Sequence, residues 1–253
     1  MLIIQEHDLR NPSPKHSSSY RFNIDSLGTS SPRCQVSLNV NIAEDGGLFS
    51  VKDGEAMNVE VASYAGIFES IKQRRSIGHM TQQQPTREQI ERILEAATYA
   101  PNHYVTEPWK FFVLTGAARE QLGRVMAEAL EARLTDTSSH RAQAMLAAER
   151  RKPFRAPVII AVTIPGLRHL HGVEVENIEA AAAAVQNMLL TAEEMGLATL
   201  WRTGEAAYDP HVKQWFGLAP EDHIVAFVYL GYPAVSRPTR VPTPFSVKTT
   251  WLS

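Results

Sequence analysis

The chain has 253 residues, 44% of them hydrophobic and 21% charged, with a formal net charge of −2; that is enough apolar material for a sizeable core. The near-neutral balance excludes bulk attraction to nucleic acid or to an anionic membrane, so any anion must be met by local charges. Cys34 is the only cysteine, which excludes an intramolecular disulfide framework and a cysteine-rich zinc site and points to a reducing, cytoplasmic setting.

At the N-terminus, Leu2-Ile3-Ile4 is too short for the apolar region of a signal peptide. Residues 1–56 are rich in turn and linker chemistry, as in Asn11-Pro12-Ser13-Pro14, Ser17–Ser19 and Gly28–Pro32, without sustained periodicity. We expect a disordered extension or a start-site artefact there, and a functional domain over residues 57–253, beginning near Met57. The first amphipathic segment, Tyr64–Arg75, ends in Arg74-Arg75-Ser76. Two guanidinium groups and a hydroxyl suit a phosphorylated ligand, because the planar fork of arginine gives paired bonds to phosphate oxygens. A solvated helix end, with cations at the negative pole of the macrodipole, is the plainer reading of the same residues.

Thr86 with Gln89 predicts a capping box, and Ile90, Ile93, Leu94 and Ala97 share one face of the following helix until Pro101 stops it. Lys110–Thr115 reads as a strand, Ala117–Arg133 as a helix, and the stretch to Lys152 as helical or looped. Val158–Thr163 is apolar on both faces, as an interior strand requires. A polar loop with His169, His171, Glu174 and Glu176 precedes an alanine-rich helix, Asn177–Met195, with Gly196 as its C-terminal cap. Ala180–Ala184 leave little side-chain volume, so this helix can approach another backbone closely, within the fold or in a dimer. Leu197–Trp201 reads as a strand or extended turn, Asp209–Phe216 as a short helix and His223–Leu230 as a strand. The four prolines Pro233, Pro238, Pro242 and Pro244 predict an extended C-terminal arm.

The longest apolar runs, Ala156–Ile164 and Ala180–Val185, are too short to span a membrane. There is no GxGxxG, no GxxxxGK[ST] and no GxSxG, which argues against a Rossmann dehydrogenase, a P-loop enzyme and an α/β-hydrolase. His169, His171 and Glu174 could ligate zinc or iron but read better as solvated loop residues, so no metal is expected. The loop Ala100–Phe111, fixed by Pro101 and Pro108, presents His103, Glu107 and Trp109; an imidazole beside an aromatic suits a planar ligand, although Trp109 reads as core. Trp201-Arg202-Thr203-Gly204 offers an arginine, a hydroxyl and a close backbone approach in one turn, or simply a structural turn. Arg237 and Arg240 add cations to the arm.

In order, RRS at Arg74–Ser76, APNHYVTEPWKF at Ala100–Phe111, FRAPVIIAV at Phe154–Val162, GLATLWRTG at Gly196–Gly204 and VYLGYP at Val228–Pro233 resemble the nitroreductase family, and its small YdjA-like branch in particular. The resemblance covers about residues 64–245. It implies an α+β fold with a mostly antiparallel central sheet flanked by helices, in an intertwined homodimer with FMN at the interface. It further implies that NADH or NADPH is the electron donor and that a small nitroaromatic, quinone or related electrophile is the acceptor. By position, Arg74, Arg75 and Ser76 would hold the phosphate, ribityl and pyrimidine side of the flavin, and His103 would reach the flavin of the other subunit. Trp201, Arg202 and Thr203 would line the ring, with Arg240 a further phosphate ligand. No catalytic side chain is implied, because the flavin carries the reaction. The chain departs from many relatives at Gly78 and His79, where they continue with a further arginine, and at Glu107, where they have glutamine. Dehalogenation, dehydrogenation or flavin fragmentation on the same scaffold, and non-enzymatic flavin binding, are the alternative functions.

Overall fold

The computed structural model describes residues 18–22, 36–40, 66–166, 173–236 and 238–252. Two units are distinguished, Met1–Tyr64 and Ala65–Ser253. In the first, strands β1 (Ser18–Phe22) and β2 (Val36–Val40) pair antiparallel; the rest of the expected extension lies outside the described residues.

In the second unit, β3 (Lys110–Leu114), β4 (Val158–Ile164), β5 (Ala198–Arg202) and β6 (His223–Gly231) form one sheet in the order β3-β4-β6-β5, antiparallel throughout. Strand β4 is an unbroken apolar run apart from Thr163, and all seven of its residues are buried, which places it inside the sheet with both faces covered. Among the described residues six α-helices accompany the sheet: α1 (Ile67–Gln73), α2 (Arg87–Thr98), α3 (Gly116–Glu131), α4 (His140–Arg151), α5 (Glu174–Glu194) and α6 (Pro210–Trp215).

The pleat of the sheet sends alternate side chains into two cores. Val158, Ile160 and Val162 join α2 and α5 on one face, whereas Ile159, Ala161 and Phe227 meet α3 and α6 on the other. Each fully buried isoleucine or valine contributes roughly 1.5–3 kcal/mol relative to exposure, so β4 is the energetic centre of the fold. Helix α5 approaches closely because Ala181, Ala184 and Ala192 are wholly buried; Asn187 also donates from Nδ2 to the carbonyl of Ala96, 3.1 Å away on α2.

The capping box at Thr86 and Gln89 is formed, and Gly196 adopts φ +71 after α5. Two boundaries differ from expectation. Helix α1 stops at Gln73, with Arg74 as its cap residue, so Arg74-Arg75-Ser76 lies at and just beyond the helix end rather than closing the helix itself. Helix α5 starts at Glu174 rather than Asn177, because acidic side chains favour the first turn of a helix and both Glu174 and Glu176 find histidine partners there. The stretch before Lys152 is helical as α4, capped by Ser139 accepting from the N–H of Ala142. Beyond β6, the described residues include one 3-10 turn, Phe245–Lys248. Among the described residues no helix is long and apolar enough to cross a membrane.

Candidate functional site

The segment after α1 turns along the exposed edge of β5. Ser76 forms a parallel bridge with Thr199, the N–H of Ile77 donates to the carbonyl of Thr199 at 2.9 Å, and Met80 bridges Pro233. The first and fourth sequence motifs are thereby laid side by side. Ile77 and Met80 are buried while Ser76 and His79 are exposed, so apolar anchors alternate with groups left available.

Arg74 is half-buried, and its pKa is lowered first by burial; Glu193 opposes that shift, and the neighbouring Arg240 and Arg75 guanidinium groups add to it. Arg240 reaches this place from the C-terminal arm. Arg75 is fixed by three carbonyls: Nε donates to Pro238 at 2.8 Å, and Nη1 to Lys72 at 2.6 Å and to Arg74 at 2.8 Å. It therefore ties the arm to the first motif. Three guanidinium groups gathered at one place form a donor set for a phosphate monoester, which would relieve their mutual repulsion. This chemistry fits the phosphate end of FMN.

Further along the same segment, Gly78 and His79 enter the wall of a cavity of about 490 Å³ together with Lys152, Arg202, Thr203 and Tyr229. Trp201 and Gly204 also border it. The Trp201 indole N–H is engaged by the carbonyl of Val225 at 3.2 Å and its ring packs on the α5-side core, so Trp201 is a rigid wall. Gly204 has φ +67, which favours glycine and leaves the backbone of this turn uncovered. Tyr229 is 3% exposed; burial pushes its phenol up from 10.0, against the pull of Arg202 and Arg155 and with the help of Glu149. It remains a neutral hydrogen-bonding group at physiological pH.

His103 stands apart from both groups, in a groove with Asn102, Glu176 and Glu179. Its Nδ1 lies 2.9 Å from Oε2 of Glu176, and its ring stacks on Tyr104 with centroids 4.0 Å apart and planes 15° from parallel. The loop is strained: Tyr104, Val105 and Glu107 have φ of 57, 53 and 42, each in a region costing about 1–2 kcal/mol for an L-residue. It is held by the first turn of α5, where buried Asn177 accepts from the Thr106 hydroxyl at 3.2 Å, and by the N–H of Glu107 donating to Oδ1 of Asn102 at 2.9 Å. Glu176 is kept below its ordinary 4.5, chiefly by the His103 hydrogen bond. Trp109 packs against the core.

The structure thus gathers Arg74, Arg75 and Arg240 in one place and lays Ser76 against β5, whose end carries Trp201, Arg202 and Thr203, while His103 sits elsewhere on the same chain. Arg237, His169 and His171 lie outside the described residues; Glu174 instead pairs with His223. Lys152, Tyr229 and Glu176 went unrecognised as site groups in the sequence. Tyr229 looks like core in an apolar strand and Lys152 like a helix-terminal cation. Glu176 could have been found from the acidic first turn of α5 facing the histidine loop.

A family model described as the Nitroreductase family matches residues 71–232. The chain is 35% identical over 177 residues to the Escherichia coli (strain K12) protein named "Putative NAD(P)H nitroreductase YdjA", covering 68% of this chain and 93% of that one. It is 28% identical over 186 residues to the similarly named YfhC of Bacillus subtilis (strain 168), covering 73% and 93%. Among solved structures it resembles a nitroreductase-like family protein from Bacillus cereus, with a TM-score of 0.65 and 26% identity over 75% of this chain and 97% of that one. It shares its fold with the FMN-dependent nitroreductase NfnB from Mycobacterium smegmatis, crystallised with NADPH, at a TM-score of 0.58 and 18% identity over 74% and 97%.

Proposed function

The chain belongs to the nitroreductase family, and from that premise we propose that it is an FMN-dependent NAD(P)H oxidoreductase acting on nitroaromatic, quinone or related electrophilic acceptors. The observation that carries this reading is the convergence of Arg74, Arg75 and Arg240 beside the Ser76–Thr199 bridge. Bound FMN would supply hydride acceptance from NADH or NADPH and hydride donation to the acceptor. Arg74 and Arg240 would hold its phosphate, with Arg75 holding the arm in register. Ser76 and the backbone of Thr203 and Gly204 would meet the ring and ribityl chain, with Trp201 as the wall behind them. Gly78 places no charge in the cavity, so the cations nearest the ring would be Arg202 and Lys152.

His103 sits on Glu176 at the start of α5 and Arg74 faces Glu193 near its end, roughly 25 Å away at the rise of an α-helix, so one flavin would meet both only where two chains come together, and the surface supports such a meeting. Ile67 and Phe68 of α1 and Phe245, Trp251 and Leu252 of the arm are apolar and exposed, Leu252 by 93%. Large uncovered apolar surface of this kind marks an interface. A homodimer would cover it and bring His103 of one subunit to the flavin of the other. We place this enzyme in the cytoplasm.

A visible absorption spectrum of the purified protein, recorded before and after anaerobic addition of NADPH, tests the reading. A flavin band that bleaches supports it; no band after FMN is supplied refutes it. Light scattering should give twice the chain mass, and deletion of residues 241–253 should lower it.

A further inference from the structure

The contact between His103 and Glu176 has a chemical direction. A carboxylate can only accept, so the proton shared across the 2.9 Å contact belongs to Nδ1 of His103. The same Oε2 also accepts from the N–H of Val173 at 3.4 Å, which anchors the carboxylate to the start of α5. The imidazole is held from its other side by the stack on Tyr104. Its side chain is still 55% exposed, and Nε2, the ring nitrogen that Glu176 does not engage, carries the lone pair of the neutral ring. Three residues of the loop keep left-handed backbone conformations, a pattern that persists where surrounding structure over-determines a functional geometry.

We propose that Glu176 is a positioning residue that fixes His103 as the Nδ1–H tautomer, so that Nε2 serves as a hydrogen-bond acceptor toward the ribityl hydroxyls or ring N–H of a flavin. This rests on the flavin reading above. It assigns His103 a role different from phosphate binding: the arginine cluster meets the anion, and His103 accepts from the neutral part of the ligand. A histidine ring orientation fixed by a carboxylate on its far nitrogen is an economical way to present one acceptor in one direction.

The experiment has two parts. In protein without ligand, 15N-detected histidine NMR at pH 8 should show His103 protonated on Nδ1, and Glu176→Ala should abolish that preference. Affinities for FMN and for riboflavin, which lacks the phosphate, should both fall about tenfold in Glu176→Ala, leaving their ratio unchanged, and recover in part in Glu176→Asp. In a His103→Ala background, Glu176→Ala should have no further effect. An Nε2–H tautomer in the parent protein overturns the proposal. So does a loss confined to FMN, which would put His103 on the phosphate, or an equal loss in the His103→Ala background, which would make Glu176 a helix-end residue only. If the parent binds neither flavin, the flavin reading and the ligand assigned to Nε2 fall together, while the NMR result decides the His103–Glu176 pair separately.

Discussion

Gly231 closes β6 where the first motif passes over the sheet, and replacing it by alanine tests whether that passage is tight. A Cβ at this position would stand 2.7 Å from Cδ and 3.0 Å from Cγ of Pro157, and 3.3 Å from Cβ of Met80. Ordinary carbon contacts begin near 3.5 Å, so the nearest neighbour must move away by about 0.8 Å. Neither can do so freely, since Pro157 leads directly into the buried strand β4 and Met80 is bridged to Pro233. Overpacking of this kind costs about 1–3 kcal/mol, and for a domain of this size about 2 kcal/mol lowers Tm by roughly 4–8 °C. Thermal denaturation followed by circular dichroism should show that drop. FMN affinity should fall too, because displacing Met80 shifts His79 and Gly78 at the cavity wall. Gly78→Ala is the control: its Cβ would meet only Cδ2 of Leu200 at 3.5 Å, and it should melt within about a degree of the parent. Unchanged melting of Gly231→Ala, or an equal loss in Gly78→Ala, would refute the reasoning.

Arg74→Gln should weaken FMN binding about 10- to 100-fold, the range for losing charge-assisted hydrogen bonds, and the flavin-free protein should melt no higher than the parent, because the change removes the attraction to buried Glu193 along with the individually weaker repulsions from Arg240 and Arg75; fluorescence titration and a melt of the same sample check both. Val105→Gly should raise Tm by about 2–4 °C, as a β-branched residue leaves a left-handed conformation that costs about 1–2 kcal/mol. The carboxyl of Glu176 is depressed in the folded state, so it contributes stability above its unfolded value near 4.5 and loses it as pH falls through the lower folded value. Urea unfolding of the parent and Glu176→Gln should therefore differ at pH 7 and converge in acid; a constant difference across that range would contradict the assignment.

Elements with strong local signals were legible in the sequence. The capping box at Thr86, the apolar run of β4 and the glycine cap at Gly196 each depend on nearest neighbours along the chain, and all three appear as expected. The α+β architecture came from the order of five motifs rather than from periodicity, which cannot tell an antiparallel from a parallel sheet. The boundary of α5 was misplaced because Glu174 and Glu176 read as loop polarity, and only the tertiary partners His223 and His103 make their place in a first helical turn evident. Arg75 shows another limit. Its charge was visible, but not that three carbonyls engage two of its nitrogens, since backbone acceptors leave no trace in residue identity. The cavity groups Lys152 and Tyr229 arrive from separate elements and share no spacing with the motifs.

The bridge between Ser76 and Thr199 has a kinetic side. It joins residues more than a hundred positions apart in sequence, and closing so long a loop costs entropy that the contacts must offset. By that reasoning the outer edge of β5 is expected to be covered after β3, β4 and β6 have paired. Until then the outer edge of β5 is an uncovered row of backbone donors and acceptors, the kind of template on which strands from other chains add. A ligand that clamps the first motif would favour the closed edge by mass action.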